Sequence, residues 1–135
     1  MGAWGVKVLQ NDCALDALHK VDTLTTGVYD FAKSLLINEH DYKAGHLNLL
    51  GVAIVDASIN GLDYTLFSPK DTLYGYSWWF KSLEIYPLLD LVPLAREAIV
   101  KCIEAGVSEW AKDCQEDRMR IYETYRDRLN RISCR

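Results

Sequence analysis

Hydrophobic positions along the chain fall at helical steps in five separate stretches. Ala14, Leu15, Leu18 and Val21 form the first, with Asn11 placed as an N-cap and Asp12 and Asp16 in the opening turns, where a helix favours negative charge. This pattern predicts a short helix over 12–21. Thr25 or Thr26 caps a second, with Val28, Phe31, Ala32, Leu35 and Leu36 on one face and Asn38-Glu39 at its end. The third, over 42–59, carries Leu47, Leu50, Gly51, Ile54, Val55 and Ile59 on one face and Leu49, Val52 and Ala53 on the flank. Apolarity over more than half the circumference marks it as the central helix. Asn60-Gly61 is a stop signal.

Helical spacing fails over residues 61–92. Leu62, Tyr64 and Leu66 alternate and predict a short extended piece, and Ser68-Pro69 is a turn signal. Pro87 and Pro93 exclude one continuous helix through this stretch. Pro93 suits the first turn of a fourth helix, with Leu94, Ala98, Ile99, Cys102 and Ile103 inward and Gly106 ending or kinking it. Val107, Trp110, Ala111, Cys114, Ile121, Tyr122, Tyr125, Leu129 and Ile132 then predict a long last helix over 107–132. The expected architecture is all-α: one domain, residues 1–135, a bundle of about five helices with an aromatic-rich irregular connection between the third and fourth.

Composition fits that picture. The chain has 135 residues, half of them hydrophobic and a quarter charged, enough for one packed core. No apolar run approaches the ~18 residues that cross a bilayer, so no membrane association is expected. The N-terminus lacks a secretory pattern, and Val6 stands where a myristoylation motif needs Ser or Thr. Cys13, Cys102, Cys114 and Cys134 contain no C-x-x-C pair, and His19, His40 and His46 are not closely paired. Free thiols, no metal, no cofactor and a cytoplasmic location are the expectations, with a disulfide framework as the alternative. Net charge is −4, but residues 118–135 hold six arginines against Glu123 and Asp127, a local +4, which leaves −8 on residues 1–117. The arginines are expected to surround a solvated helix laced with weak pairs rather than to form a nucleic-acid stripe.

The opening residues carry a resemblance. MGAWG followed by Asn11-Asp12-x-Ala14-x-Asp16 resembles a widespread family of small bacterial proteins grouped as a domain of unknown function, whose members open on G-x-W-G and an A-x-D helix led by N-D or D-D. The likeness continues in GVAIVDASING and in Ser108-Glu109-Trp110, where the tryptophan stands closer to the glutamate than in the family's Ser-Glu-x-x-x-Trp element. The aromatic stretch 61–92 departs from the family by its length. The resemblance implies an all-α cytoplasmic domain and brings no reaction or catalytic residue.

Candidate chemistry is sparse. Trp4 between Gly2 and Gly5 reads as a plug under the bundle, with the alternative of an indole lining a pocket above Asp12 and Asp16, extended by His19. Asp56 stands among Val52, Ala53 and Ile59, so it needs a partner: Asn60, or an arginine from another helix, for which Arg118 in the apolar stripe of the last helix is the specific expectation. The best binding candidate is the aromatic run, with eight of the chain's 15 aromatics between Tyr64 and Tyr86. Trp78 and Trp79 point about 100° apart on any regular helix, so one of them is expected to face out. Tyr74, Tyr76, Trp78 and Trp79 are the expected anchors, with Asp71 and Glu84 as rim charges.

These observations lead to a non-enzymatic protein-binding protein of the bacterial or phage cytoplasm, of immunity or inhibitor type, that neutralises or regulates a basic protein. The alternatives are an enzyme or metal- or small-ligand binder using Trp4, Asp12 and Asp16, and a structural homo-oligomer.

Overall fold

The computed structural model describes residues 7–8, 10, 14, 16–17, 28–37, 44–61, 63, 65–67, 87–107, 110 and 112–132. Among them are four α-helices and no strand: α1 (Val28–Leu36), α2 (Ala44–Asn60), α3 (Val92–Ala105) and α4 (Lys112–Asn130). Of the helix expected over 12–21, Ala14, Asp16 and Ala17 are described, and all three are helical. The remainder of that stretch lies outside the described residues.

The middle of the fold belongs to α2. Every residue from Asn48 to Ser58 is buried, so the helix meets protein on all sides. It packs against α1, α3 and α4. Leu49, Leu50, Val52, Ile54 and Val55 have no exposed surface, each burial contributing about 2 kcal/mol relative to exposure. Gly51 sets the approach of α1, because a Cβ there would lie 2.9 Å from Leu36 Cδ2 and 3.1 Å from Leu35 Cβ. Gly61 ends α2 with φ 86°, its N–H donating to the Ala57 carbonyl at 3.0 Å.

Around this helix, α1 buries Phe31, Ala32, Leu35 and Leu36 at helical steps and turns Tyr29, Asp30 and Lys33 outward. A 3-10 turn at Leu89–Leu91 leads into α3, whose first turn holds Pro93. Ala95, Ala98, Ile99 and Cys102 face the core, and Gly106 (φ 79°) ends the helix on the carbonyls of Cys102 and Ile103.

Two expectations need correction. The last helix begins at Lys112 rather than near 107: Val107 and Trp110 lie in a bend closed by the Trp110 N–H on the Val107 carbonyl at 2.9 Å. The left-handed backbone at Gly106 breaks the helical path, and Gln115 Nε2 donates to the Trp110 carbonyl at the restart. The extended piece around Leu66 is a turn instead. Asp63 captures three consecutive N–H groups there, Thr65 on its side chain and Leu66 and Phe67 on its carbonyl. Leu62 and Tyr64 lie outside the described residues.

From Lys112 onward, α4 presents Arg118, Ile121, Tyr122, Tyr125 and Leu129 to the core. Arg96 of α3 closes its far end, donating from Nε and Nη2 to the Leu129 carbonyl and from Nη2 to that of Ile132 at 2.7 Å.

Candidate functional site

Two polar clusters join α2 to α4 across the core. Their bonding residues are offset by the same 72 positions, His46 with Arg118 and Asp56 with Arg128. Ten residues separate the two contacts on each helix, about 15 Å of rise. Equal spacing on both helices means that α2 and α4 run parallel in one register.

The first cluster is built around Arg118, which has no exposed surface. Its guanidinium stacks 4.8 Å from the Trp110 ring centre and 5.0 Å from that of Tyr122. Nε donates to the Tyr122 hydroxyl at 3.1 Å, and Nη2 lies 3.2 Å from His46 Nδ1. A guanidinium only donates, so Nδ1 accepts and the neutral imidazole carries its proton on Nε2. Burial and then the Arg118 charge hold His46 down at about 4. The ring also meets Trp110 edge-on, centroids 5.7 Å apart. Close by, Cys102 Sγ is 3.8 Å from the Gly45 carbonyl, and burial pushes its thiol up to about 11. Such a thiol is not a nucleophile at neutral pH.

The second cluster answers the question raised by Asp56. Its carboxylate is 2% exposed and is gripped by Arg128, with Nε on Oδ1 at 3.1 Å and Nη2 on Oδ2 at 3.0 Å. Asn60 Nδ2 adds a bond at 2.9 Å, as its spacing one turn on allows. The expected Arg118 is therefore replaced by Arg128. Arg118 lies ten residues earlier in the same register, beside His46. Burial pushes the Asp56 carboxyl upward by more than Asn60 and Arg128 pull it down. Arg128 Nη1 continues to Asp63 Oδ2 at 3.0 Å. Burial works upward on Asp63 as well, but the Thr65 hydroxyl and N–H and the Arg128 guanidinium outweigh it and keep that carboxyl low.

The end of α2 that carries this cluster fastens the chain on both sides of the aromatic segment. On the entry side, Asp63 is tied through Arg128 to α2, Val8 donates to the Leu66 carbonyl at 3.1 Å, and Phe67 is 1% exposed. On the exit side, the Leu88 N–H donates to Ser58 Oγ at 3.1 Å, with Leu88 and Leu91 buried. Asp56, Ser58 and Asn60 occupy the last turns of one helix, so both flanks rest on the same base.

Charge is distributed against the sequence-level balance. Arg118 is buried, and Arg128 is 22% exposed and held by two carboxylates. The exposed face of α4 shows Asp113, Glu116, Asp117, Glu123 and Asp127 against Lys112 and Arg120. Arg120 is bound to Glu116 and Asp117, and the partly exposed Arg126 to Asp127. The arginine-rich helix thus turns an acidic face outward.

Of the residues singled out from the sequence, Asp16 is described and is exposed on its helix, as a solvated carboxylate. Trp4, Asp12, His19, Asp71, Tyr74, Tyr76, Trp78, Trp79 and Glu84 lie outside the described residues. Among the described residues no group of three or more His, Cys, Asp or Glu is placed to hold a metal ion, and no helix is long and apolar enough to cross a membrane. Cys102 and Cys114 are free thiols.

A family model described as "Domain of unknown function (DUF4259)" matches residues 2–124. No curated protein and no solved structure matches the chain.

Proposed function

We propose that this chain, which belongs to the DUF4259 family, is a non-enzymatic protein-binding domain of immunity or inhibitor type that neutralises a basic protein in a bacterial or phage cytoplasm. The observation that carries the reading is the shared base of the aromatic segment. Asp63 is fastened through Arg128 to Asp56, and Leu88 to Ser58, on the last turns of α2. A segment with both flanks anchored on a rigid helix presents Tyr74, Tyr76, Trp78 and Trp79 at a lower ordering cost than a free strand would. Asp71 and Glu84 flank these anchors, and the acidic body accelerates encounter with a basic target. In this reading the helix over 12–21 completes a five-helix bundle, and Trp4 is its plug.

Further support comes from how the interior polar groups are used. His46 and Arg118 bind each other, as do Asp56 and Arg128, so both pairs hold α2 against α4. Affinity capture from host or phage-infected lysate tests the reading, comparing wild type with a folded Trp78→Ala/Trp79→Ala variant. One basic protein retained stoichiometrically by wild type and lost by the variant is expected. Equal retention by both would overturn the aromatic anchors, and an empty capture at low and high salt would overturn protein binding.

A further inference from the structure

The outward face of α4 carries a groove of about 350 Å³ on the α3 side of Arg120, lined by Val107, Gln115, Glu116, Met119, Arg120 and Glu123. Its apolar wall is Met119 and Val107, both partly buried against the core. Its charged rim is unequal. Arg120 leans on Glu116 and Asp117, at 3.3 and 3.8 Å, so its charge is already matched by carboxylates. Glu123 stands exposed on the other side of Met119. Along α4 as a whole, the exposed positions hold five carboxylates against Lys112 and Arg120, with Arg126 partly exposed beside Asp127.

From this arrangement we infer that the α4 groove is a docking surface for a basic, amphipathic helical segment of the partner protein. One of its apolar side chains would sit over Met119, and its lysines or arginines would meet Glu116 and Glu123. The inference rests on the protein-binding reading and specifies partner chemistry at a surface separate from the aromatic segment. Two features favour this occupant. An unbranched thioether adapts to apolar side chains of differing shape, and an acidic rim rejects an acidic segment by like-charge contact. Arg118 and Arg128 turn inward, so neither adds its positive charge to this face.

The chain has two methionines, so the methyl group of Met119 gives a resolved NMR signal in methionine-methyl-labelled protein. The probes are synthetic amphipathic helices, one of leucine and lysine and one of leucine and glutamate. A saturable shift of the Met119 methyl with the leucine–lysine helix is expected, weakened roughly tenfold or more by Glu116→Lys/Glu123→Lys. Both substitutions are at exposed positions, so the fold is retained. A silent Met119, an equal response to the leucine–glutamate helix, or an affinity unmoved by charge reversal would overturn the proposal. So would a Met119 shift produced by raising the protein concentration alone, which would give the face to a second copy. If lysate capture depends on Trp78 and Trp79 but ignores Glu116→Lys/Glu123→Lys, this surface is overturned while the protein-binding reading stands.

Discussion

Arg128 of α4 holds Asp56 of α2 through two parallel hydrogen bonds, ten residues beyond the point where Arg118 meets His46. The two contacts act as rungs between parallel helices, and an equal number of residues between them on each side leaves no slack in the register. Each rung pairs a cation with a group that accepts it, because a charge alone in this interior would be costly. The lower rung reaches on to Asp63, so the same arginine sets both the helix pair and the turn that follows α2.

Arg128→Ala leaves the Asp56 carboxylate, 2% exposed, without its cation and is expected to cost about 3–5 kcal/mol. Asp56→Ala should cost less, because Arg128 is 22% exposed and keeps Asp63. Urea unfolding of Asp56→Ala, Arg128→Ala and the double variant checks the pairing: the double variant should lose much less than the sum of the singles. A parallel cycle of Asp56→Ala with Arg118→Ala should be additive, because the two groups belong to different rungs. Additivity in the first cycle would break the assignment.

His46 predicts a pH dependence of known sign. Its folded-state value is lowered from 6.5 to about 4, so between these values the unfolded chain binds the extra proton. Stability is complete above pH 6.5 and falls as the pH drops toward 4. Asp56 contributes oppositely: its raised carboxyl costs stability as the pH climbs past its ordinary 3.8. The two are separated by His46→Gln, which keeps an acceptor for Arg118 without a titrating ring. Urea midpoints measured from pH 4 to 7 should rise more steeply with pH in the wild type than in the variant. Parallel curves would refute the buried neutral imidazole.

Much of this fold was legible as pattern. Apolarity over more than half the circumference of 42–59 marked α2 as central, and Asn60-Gly61 and Pro93 marked a stop and a start that the helices obey. The restart at Lys112 was hidden because Val107, Trp110 and Cys114 keep helical spacing through a bend that only the backbone at Gly106 reveals. Asp56 announced its need for a partner, but Arg118 drew the expectation by standing in the apolar stripe of the last helix, and finding Arg128 instead requires the register of two helices. Charge was legible only in part: the exposed Arg120 and the partly exposed Arg126 make the weak pairs expected of them. Six arginines in the last 18 residues count as basic in the sequence, yet the two that bind α2 face inward, and the outward surface of α4 is acidic.

Gly51 is a position where α1 approaches α2 closely. An alanine gains about 1 kcal/mol of helix propensity but puts its methyl 2.9–3.1 Å from Leu36 and from Leu35 Cβ. Leu36 Cδ2 is a side-chain end that can move, whereas Leu35 Cβ moves only with the backbone. Overpacking of this kind costs typically 1–3 kcal/mol, so a net loss of about 1 kcal/mol is expected for Gly51→Ala. Thermal denaturation of Gly51→Ala with and without Leu36→Ala provides the check. The double variant should be more stable than the sum of the two losses, and strict additivity would argue against steric conflict at this contact.

Arg96 closes the end of α4 from a different helix, and that separation gives its prediction a spatial signature. Its guanidinium donates to the carbonyl of Leu129, which also accepts the Ile132 N–H at 3.1 Å, and to that of Ile132 just beyond the last turn. Removing the cation strips the charge-assisted bonds, each contributing about 1.5–3 kcal/mol at most. Solvent can reach this helix end and recovers part of that, so a global loss of about 1–2 kcal/mol is expected for Arg96→Ala. Local opening should exceed the global effect: amide exchange over residues 126–132 should accelerate, while exchange across α2 changes only with overall stability. Arg96→Lys retains the charge but not the planar fork and should restore less than half of the protection. Uniform acceleration across α2 and α4 in Arg96→Ala would mean that the residue contributes to the core as a whole and not to the helix end.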